Sequence, residues 1–296
     1  MLTYREALTR ATDQLSMHPE LRPTALADAA LLLMHALQIE RPTLIAHPER
    51  KLDRDAQASY QRLIERRLTF EPIQYILGTQ EFYGLTLRVT PAVLIPRPET
   101  ELLVEAVLGA LKRSDHSRIL DIGTGSGAIA IALAHHLPNA KLTAVDLSPA
   151  ALSLAHENAT KHHLQHRIRF IESDLLSALP ANIPLGSEAT RSVQNATKWD
   201  VIVSNPPYIP DSELLHPQVQ AHEPHTALFA GPSGLDIYRR LIPQAYAHLK
   251  PNGLLALEIG HGQRDAIAEL LALWNDVQFL NDLQEIPRVA LARKPQ

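Results

Sequence analysis

The sequence predicts an α/β chain in which a small all-helical domain precedes a mostly parallel sheet with helices on both faces and an antiparallel strand near its end. Three observations predict it. Apolar residues recur at helical spacing through residues 1–70, short apolar strands alternate with amphipathic helical stretches across 98–296, and glycines crowd a strand-to-helix junction at 123–127.

Composition limits what those elements can build and bind. With 296 residues, 45% of them hydrophobic and 20% charged, the chain has material for two cored domains. A net charge of -4 supplies no electrostatic footprint for tight, sequence-independent binding to nucleic acid or an anionic membrane. The absence of cysteine excludes a disulfide framework, thiolate zinc sites, iron–sulfur clusters and a cysteine nucleophile. No basic segment followed by an apolar core opens the chain, and no run of about 18 uninterrupted apolar residues occurs, so the expected location is the cytoplasm.

In the first domain, Leu8, Leu15, Leu26, Ala30, Leu33, Leu37, Leu52, Tyr60 and Ile64 carry the helical period, and Pro19, Pro23, Pro42 and Pro48 fall at the breaks. The most apolar stretch, 25–39, is interrupted by Asp28 and His35 and reads as a buried bundle helix. Residues 71–97 read as a linker containing a hairpin that turns near Gly84. Pro98 suits a first helical turn, with Glu99 and Glu101 near the positive end of the helix dipole. Strands are then expected at 118–121, 141–146, 168–171, 200–203 and 254–258, with two more around Pro287. Residues 181–198 are polar, aperiodic and longer than the usual connection, which suggests a surface insertion.

The chain has only 12 glycines, yet three alternate in Asp121-Ile122-Gly123-Thr124-Gly125-Ser126-Gly127, between a strand and the helix 128–135. Such a turn needs residues that tolerate positive φ, and a ligand approaching the backbone needs missing side chains. Dinucleotide turns favour G-x-G-x-x-G, so G-x-G-x-G favours S-adenosylmethionine over a nicotinamide cofactor. Asp146 closes the next strand, where a carboxylate can accept both ribose hydroxyls or cap the following helix. Asp174, at the end of the third strand, could accept from an adenine amino group or serve as a cap.

Asn205-Pro206-Pro207-Tyr208 follows the buried strand 200–203 and so lies at the same sheet edge as the glycines. An amide nitrogen has a delocalised lone pair, so methylating it requires acceptors that hold the NH2 group and offset growing positive charge. Asn205 Oδ1 and the Pro206 carbonyl can supply them. The prolines stiffen the loop, and Tyr208 offers an aromatic face to the planar group. The histidines His162, His163, His222 and His225 are read as solvated surface, since no carboxylate or cysteine partner completes a ligand set at suitable spacing; no metal is expected.

The tetrapeptide at 205–208 resembles motif IV of amino-methyltransferases, which act on adenine N6, cytosine N4 or glutamine amides. Three further stretches, at 71–78 (EPIQYILG), 94–101 (LIPRPETE) and 234–241 (GLDIYRRL), resemble the glutamine methyltransferases of bacterial peptide chain release factors, and the similarity runs almost end to end. It implies a Rossmann-like methyltransferase domain over 98–296 and a helical substrate-recognition domain over 1–70. It also implies S-adenosylmethionine as cofactor, and methylation of the glutamine in a Gly-Gly-Gln loop of the release factor. On this resemblance Asn205, Pro206 and Tyr208 are catalytic, and all four residues from Asn205 through Pro207 to Tyr208 hold the amide. Cofactor contacts carry over to Gly123, Thr124, Gly125, Ser126, Gly127, Asp146 and Asn205, with Asp174 and Leu175 beside the adenine. Leu175 stands where some members place Trp, 229–233 lacks the expected Gly-Gly-Asp pattern, and the insertion after Pro180 is longer than usual. The expected state is a monomer without direct nucleic-acid or membrane contact.

Two other readings compete. An adenine N6 methyltransferase would use the same tetrapeptide on a flipped base, but normally carries a basic recognition region that this chain of charge -4 lacks. A non-catalytic interaction protein on a cofactor fold would show decay of the glycine turn or the tetrapeptide, and both are intact.

Overall fold

Thr3 opens the first helix, Tyr4–Ser16, with a reciprocal cap: its hydroxyl oxygen accepts from Glu6 N while Glu6 Oε2 accepts from Thr3 N at 2.8 Å. The computed structural model describes residues 1–112, 116–179 and 198–296 and divides into two units. The expected insertion 181–198 falls, except for Lys198, outside the described residues.

The first unit is Met1–Thr79 together with Leu215–His222. Helices Tyr4–Ser16, Ala25–Leu37 and Arg54–Leu68 close around Leu15, Leu32, Leu33 and Ile64. Asp28, the charge inside the most apolar stretch, is buried because Arg67 Nε donates to its Oδ2 at 2.8 Å and the Thr24 hydroxyl at 2.9 Å. Removing Arg67 would strand a buried carboxylate, a loss of typically about 3–5 kcal/mol. The unit continues past Phe70 through the short helix Ile73–Leu77, because Ile76 joins the core that holds Leu15 and Tyr60. It also takes in the helix Pro217–His222, whose His222 Nε2 lies 2.9 Å from the Thr69 carbonyl.

After this unit, β1 (Thr79–Phe82) and β2 (Leu85–Arg88) form a hairpin with Tyr83 and Gly84 both at positive φ, the twist that two-residue hairpin turns require. The second unit is built on a seven-stranded sheet in the order β5-β4-β3-β6-β7-β9-β8. Its strands are β3 (Arg118–Ile122), β4 (Lys141–Asp146), β5 (Ile168–Glu172), β6 (Trp199–Ser204), β7 (Leu249–Glu258), β8 (Asn275–Asn281) and β9 (Pro287–Arg293). β9 runs antiparallel to β7 and β8, and the pairs from β5 to β7 are parallel.

Side chains alternate between two cores, as strands covered on both faces demand. Ile119, Val201 and Val203 pack with Leu103, Val104 and Val107 of the helix Glu99–Ala110, and with the apolar helix Ala128–His136. Leu120, Ile122 and Ile202 pack on the other face with Tyr238 and Leu241 of the helix Asp236–His248 and Ile267 of the helix Arg264–Leu270. The chain winds from β3 outward through β4 to β5, then returns to place β6 on the other side of β3. The strand order therefore reverses between β3 and β6, the position at which open α/β sheets leave a crevice. No helix among the described residues is long and apolar enough to cross a membrane.

Candidate active site

Ile122 pairs with Val145 on one side and Ser204 on the other, so the residues after β3, β4 and β6 emerge together at the carboxyl edge. The buried Ser204 hydroxyl donates to the Ile122 carbonyl at 2.7 Å and ties two of those ends directly. Above them lies a cavity of about 470 Å³. Gly123, Thr124, Gly125 and Ser126 line it from β3, Asp146 from β4, Leu175 from the turn after β5, and Asn205 and Pro207 from β6. Val93, Leu94, Ala227 and Ile237 make much of the rest of its wall apolar.

The glycine turn is held from below. Asp121 is fully buried; its Oδ2 accepts from the Thr124 hydroxyl at 2.6 Å and from Ala130 N at 3.2 Å, and Oδ1 has no hydrogen-bond partner among the described residues. Burial, partly offset by those hydrogen bonds, pushes its carboxyl up to about 7. Gly123 and Gly125 have φ of 72° and 54°, and a Cβ on either would meet nothing within 4 Å, so both present bare backbone to open space. Gly127 serves packing: a Cβ there would come within 2.9 Å of Ile131 and 3.2 Å of Ala155, and it does not line the cavity.

Asp146 is bound into this turn. Its Oδ2 accepts from Gly125 N at 2.8 Å and its Oδ1 from Ser148 N at 2.9 Å, each oxygen retaining a lone pair. The cap of the helix Pro149–Lys161 is Ser148, whose Oγ accepts from Ala151 N at 3.2 Å. Leu175 reaches the cavity from a left-handed conformation, φ 51°, uncommon for a leucine. Asp174 is directed elsewhere: it is exposed, off the cavity wall, and pairs with Arg240 Nη2 at 2.6 Å.

The tetrapeptide is held by residues distant in the sequence. Asn205 Nδ2 donates to Thr100 Oγ1 at 3.1 Å. Pro206 is buried, and of the tetrapeptide Asn205 and Pro207 line the cavity while Pro206 and Tyr208 are not among its lining residues. The Tyr208 carbonyl accepts from Gln263 Nε2 at 2.9 Å, and its hydroxyl lies 3.4 Å from Glu258 Oε1. A Cβ on Gly234 would meet the Tyr208 carbonyl oxygen at 2.2 Å, and one on Gly260 would meet the Tyr208 ring at 2.9 Å, so both glycines make room for this residue. Burial, reinforced by the nearby Glu258 carboxylate, pushes the Tyr208 phenol up, so it keeps its proton at neutral pH. Glu258 is itself buried, and that burial raises its carboxyl to about 7.

One further buried acid shapes the cavity. Glu223 accepts from Ile95 N at 3.2 Å and Arg97 Nη2 at 2.5 Å, fastening the wall at 92–97 to the wall at 224–227. Sequence reasoning did not single out Thr100, Ser204, Glu223, Glu258 or Gln263 for the site. Thr100 and Gly234 lie inside the stretches that carry the family resemblance, and Gly260 stands with Gly262 in a glycine-poor chain, which is the signal that was present. Among the histidines, His162 Nε2 lies 3.0 Å from the Thr86 carbonyl, and no group of three metal-ligating side chains occurs among the described residues.

Residues 6–78 match the PrmC N-terminal domain, and residues 98–221 match the methyltransferase small domain. The release factor glutamine methyltransferase of Koribacter versatilis is 44% identical over 292 residues, covering 97% of this chain and 99% of its own. That of Moorella thermoacetica is 42% identical over 296 residues, covering 98% of each. Among solved structures, the T. thermophilus 16S rRNA N2 G1207 methyltransferase, in complex with AdoMet and guanosine, aligns with a TM-score of 0.51 at 21% identity, covering 73% of this chain and 49% of that one. A likeness at that identity shows the fold alone.

Proposed function

The chain belongs to the release factor glutamine methyltransferase family, and from that premise we propose how its residues divide the work. The reaction is methylation of a glutamine side-chain amide in a release factor, with S-adenosylmethionine as methyl donor. The observation that carries the residue-level reading is that the Gly123–Ser126 turn and Asn205, at the ends of neighbouring strands, line one cavity.

The residues fit this cofactor. Gly123 and Gly125 leave open space against bare backbone, where a ligand can approach closely, and Asp146 keeps lone pairs for a ribose diol. Leu175 and the apolar wall can cover an adenine. When bound, S-adenosylmethionine supplies an electrophilic methyl carbon on a sulfonium, to which the amide nitrogen bonds while the sulfur keeps the electron pair.

Asn205 Oδ1 and the Pro206 carbonyl accept from the substrate NH2, orient its lone pair, and offset the charge growing on nitrogen before a proton leaves to solvent. No general base is needed beforehand. Pro207 and Tyr208 flank the planar amide. The apolar wall limits the water that would otherwise weaken those contacts. Methyl transfer from labelled cofactor to purified release factor tests the assignment. Asn205→Ala should lower the rate on the order of a hundredfold or more with a much smaller change in cofactor affinity. Wild-type transfer by that variant would remove Asn205 from the mechanism, and label appearing on nucleic acid would remove the substrate.

The helical unit is proposed to engage the release factor, and the chain to act as a cytoplasmic monomer without contacting nucleic acid. Support comes from an apolar groove on that unit, which includes the exposed Leu26 and Ile45 with Arg5 and Arg41 at hand. Leu26→Glu with Ile45→Glu should raise KM for release factor roughly tenfold, as interface substitutions do, and leave kcat near wild type. An unchanged KM would refute this role.

A further inference from the structure

The side chain of Asn205 has two ends of almost identical shape and opposite chemistry. Turning the amide by half a revolution exchanges Oδ1 for the NH2 group with no change in volume, so packing cannot choose between them; only hydrogen-bond partners can. The choice matters because an NH2 end facing the substrate would set donor against donor and supply no acceptor for charge developing on nitrogen.

The partner that chooses is Thr100, on the first turn of the helix Glu99–Ala110, with its side chain 3.1 Å from Asn205 Nδ2. Thr100 is buried. A hydroxyl has one proton to donate and lone pairs to accept with, so whichever group takes the proton fixes what is left for Asn205. Glu258, buried at the end of β7, is the neighbouring acid that can take it. Burial pushes the Glu258 carboxyl up, and the nearby Thr100 hydroxyl acts in the opposite direction. Glu258 Oε2 has no hydrogen-bond partner among the described residues, so an acceptor is open to that proton. Its other oxygen faces the Tyr208 hydroxyl at 3.4 Å, and its backbone carbonyl accepts from the Tyr238 hydroxyl at 2.7 Å. One buried acid thus stands behind both ends of the tetrapeptide.

We propose that Thr100 is a positioning residue for methyl transfer: with its proton engaged by Glu258, its oxygen takes the NH2 end of the Asn205 amide and leaves Oδ1 as the end offered to the substrate glutamine. This deepens the proposed function and rests on the reading of Asn205 as the acceptor. Thr100 need not touch the reacting atoms; it acts by removing the wrong orientation of a residue that does.

The test compares Thr100→Val, Thr100→Ala and Thr100→Ser in the full-length enzyme, with release factor and S-adenosylmethionine as substrates and Asn205→Ala as control. Valine keeps the shape and removes the acceptor; serine restores the hydroxyl without the methyl group. Thr100→Val and Thr100→Ala should each lower kcat on the order of tenfold to a hundredfold, with KM for both substrates changed less than about threefold, the pattern of a contact realised in the transition state. Thr100→Ser should recover kcat to within about threefold of wild type, a rescue that a purely packing role would not give. If Thr100→Val fails to fold, the alanine and serine pair still carries the comparison. Alanine at wild-type kcat, or serine as impaired as alanine, overturns the proposal. Should Asn205→Ala retain wild-type activity, the underlying reading fails; should it silence transfer while Thr100→Ala stays fully active, the positioning role alone fails.

Discussion

The two halves of the cavity are held by different means. The glycine turn is a local construction: Asp121 grips Thr124, and Asp146 binds Gly125, all within one strand–helix–strand passage. The tetrapeptide is a long-range construction, in which Thr100 holds Asn205 while Gly234, Glu258 and Gln263 surround Tyr208. Backbone conformation suffices to expose a surface against which a ligand rests. Presenting one particular oxygen to a reacting nitrogen demands side chains clamped from several directions, and only distant segments can approach from those directions.

That contrast can be broken at either half. The largest effect is expected from Gly234→Ala, because the new Cβ would lie 2.2 Å from the Tyr208 carbonyl at a φ of 69° and must displace the tetrapeptide. A shift of about 1 Å near the reacting group commonly costs on the order of a hundredfold in rate, so transfer should fall by that order while cofactor affinity is nearly kept. Loss of cofactor binding in parallel with activity would show that the two halves are mechanically one.

Asp146→Ala strikes the other half. Losing a charged acceptor for a ribose diol should weaken S-adenosylmethionine binding on the order of tenfold to a hundredfold, with cooperative unfolding intact. Calorimetric titration decides the point; unchanged affinity would leave Asp146 with only its structural bonds to Gly125 and Ser148.

A third effect leaves both halves in place and is a dependence of stability on pH. The Glu258 carboxyl is raised to about 7 from an ordinary value of 4.5, so the folded protein holds a proton there that the unfolded chain has released. Its contribution to stability is therefore full below about 4.5 and is lost as pH rises toward 7. Glu258→Gln has no such proton to lose. Its stability relative to wild type should improve from pH 4.5 to 7 by as much as ~3 kcal/mol and then level off, with Tyr208, Tyr238, Arg288 and Glu99 common to both proteins. Denaturant melts at pH 5 and pH 8 measure the change, and a constant difference would mean that Glu258 titrates normally.

Sequence alone determined the fold class, the glycine turn and the tetrapeptide. Hydrophobic period marks which faces are buried, and an unusual backbone or an unusual pair of acceptors must be written in consecutive residues, as at 123–127 and 205–208. The same logic marks Asp146, but not its bonds: the cap of the following helix belongs to Ser148. Only the tertiary structure decided that Asp174 turns away to Arg240, that Gly127 serves packing, and that the helical unit runs past Phe70 and takes in the helix Pro217–His222. It likewise decided that Thr100, Glu258 and Gln263 converge on the tetrapeptide. Those outcomes depend on which strands neighbour which and where a residue 105 positions away comes to rest, and no local period or spacing encodes a partner that meets its residue only after the sheet has closed its order.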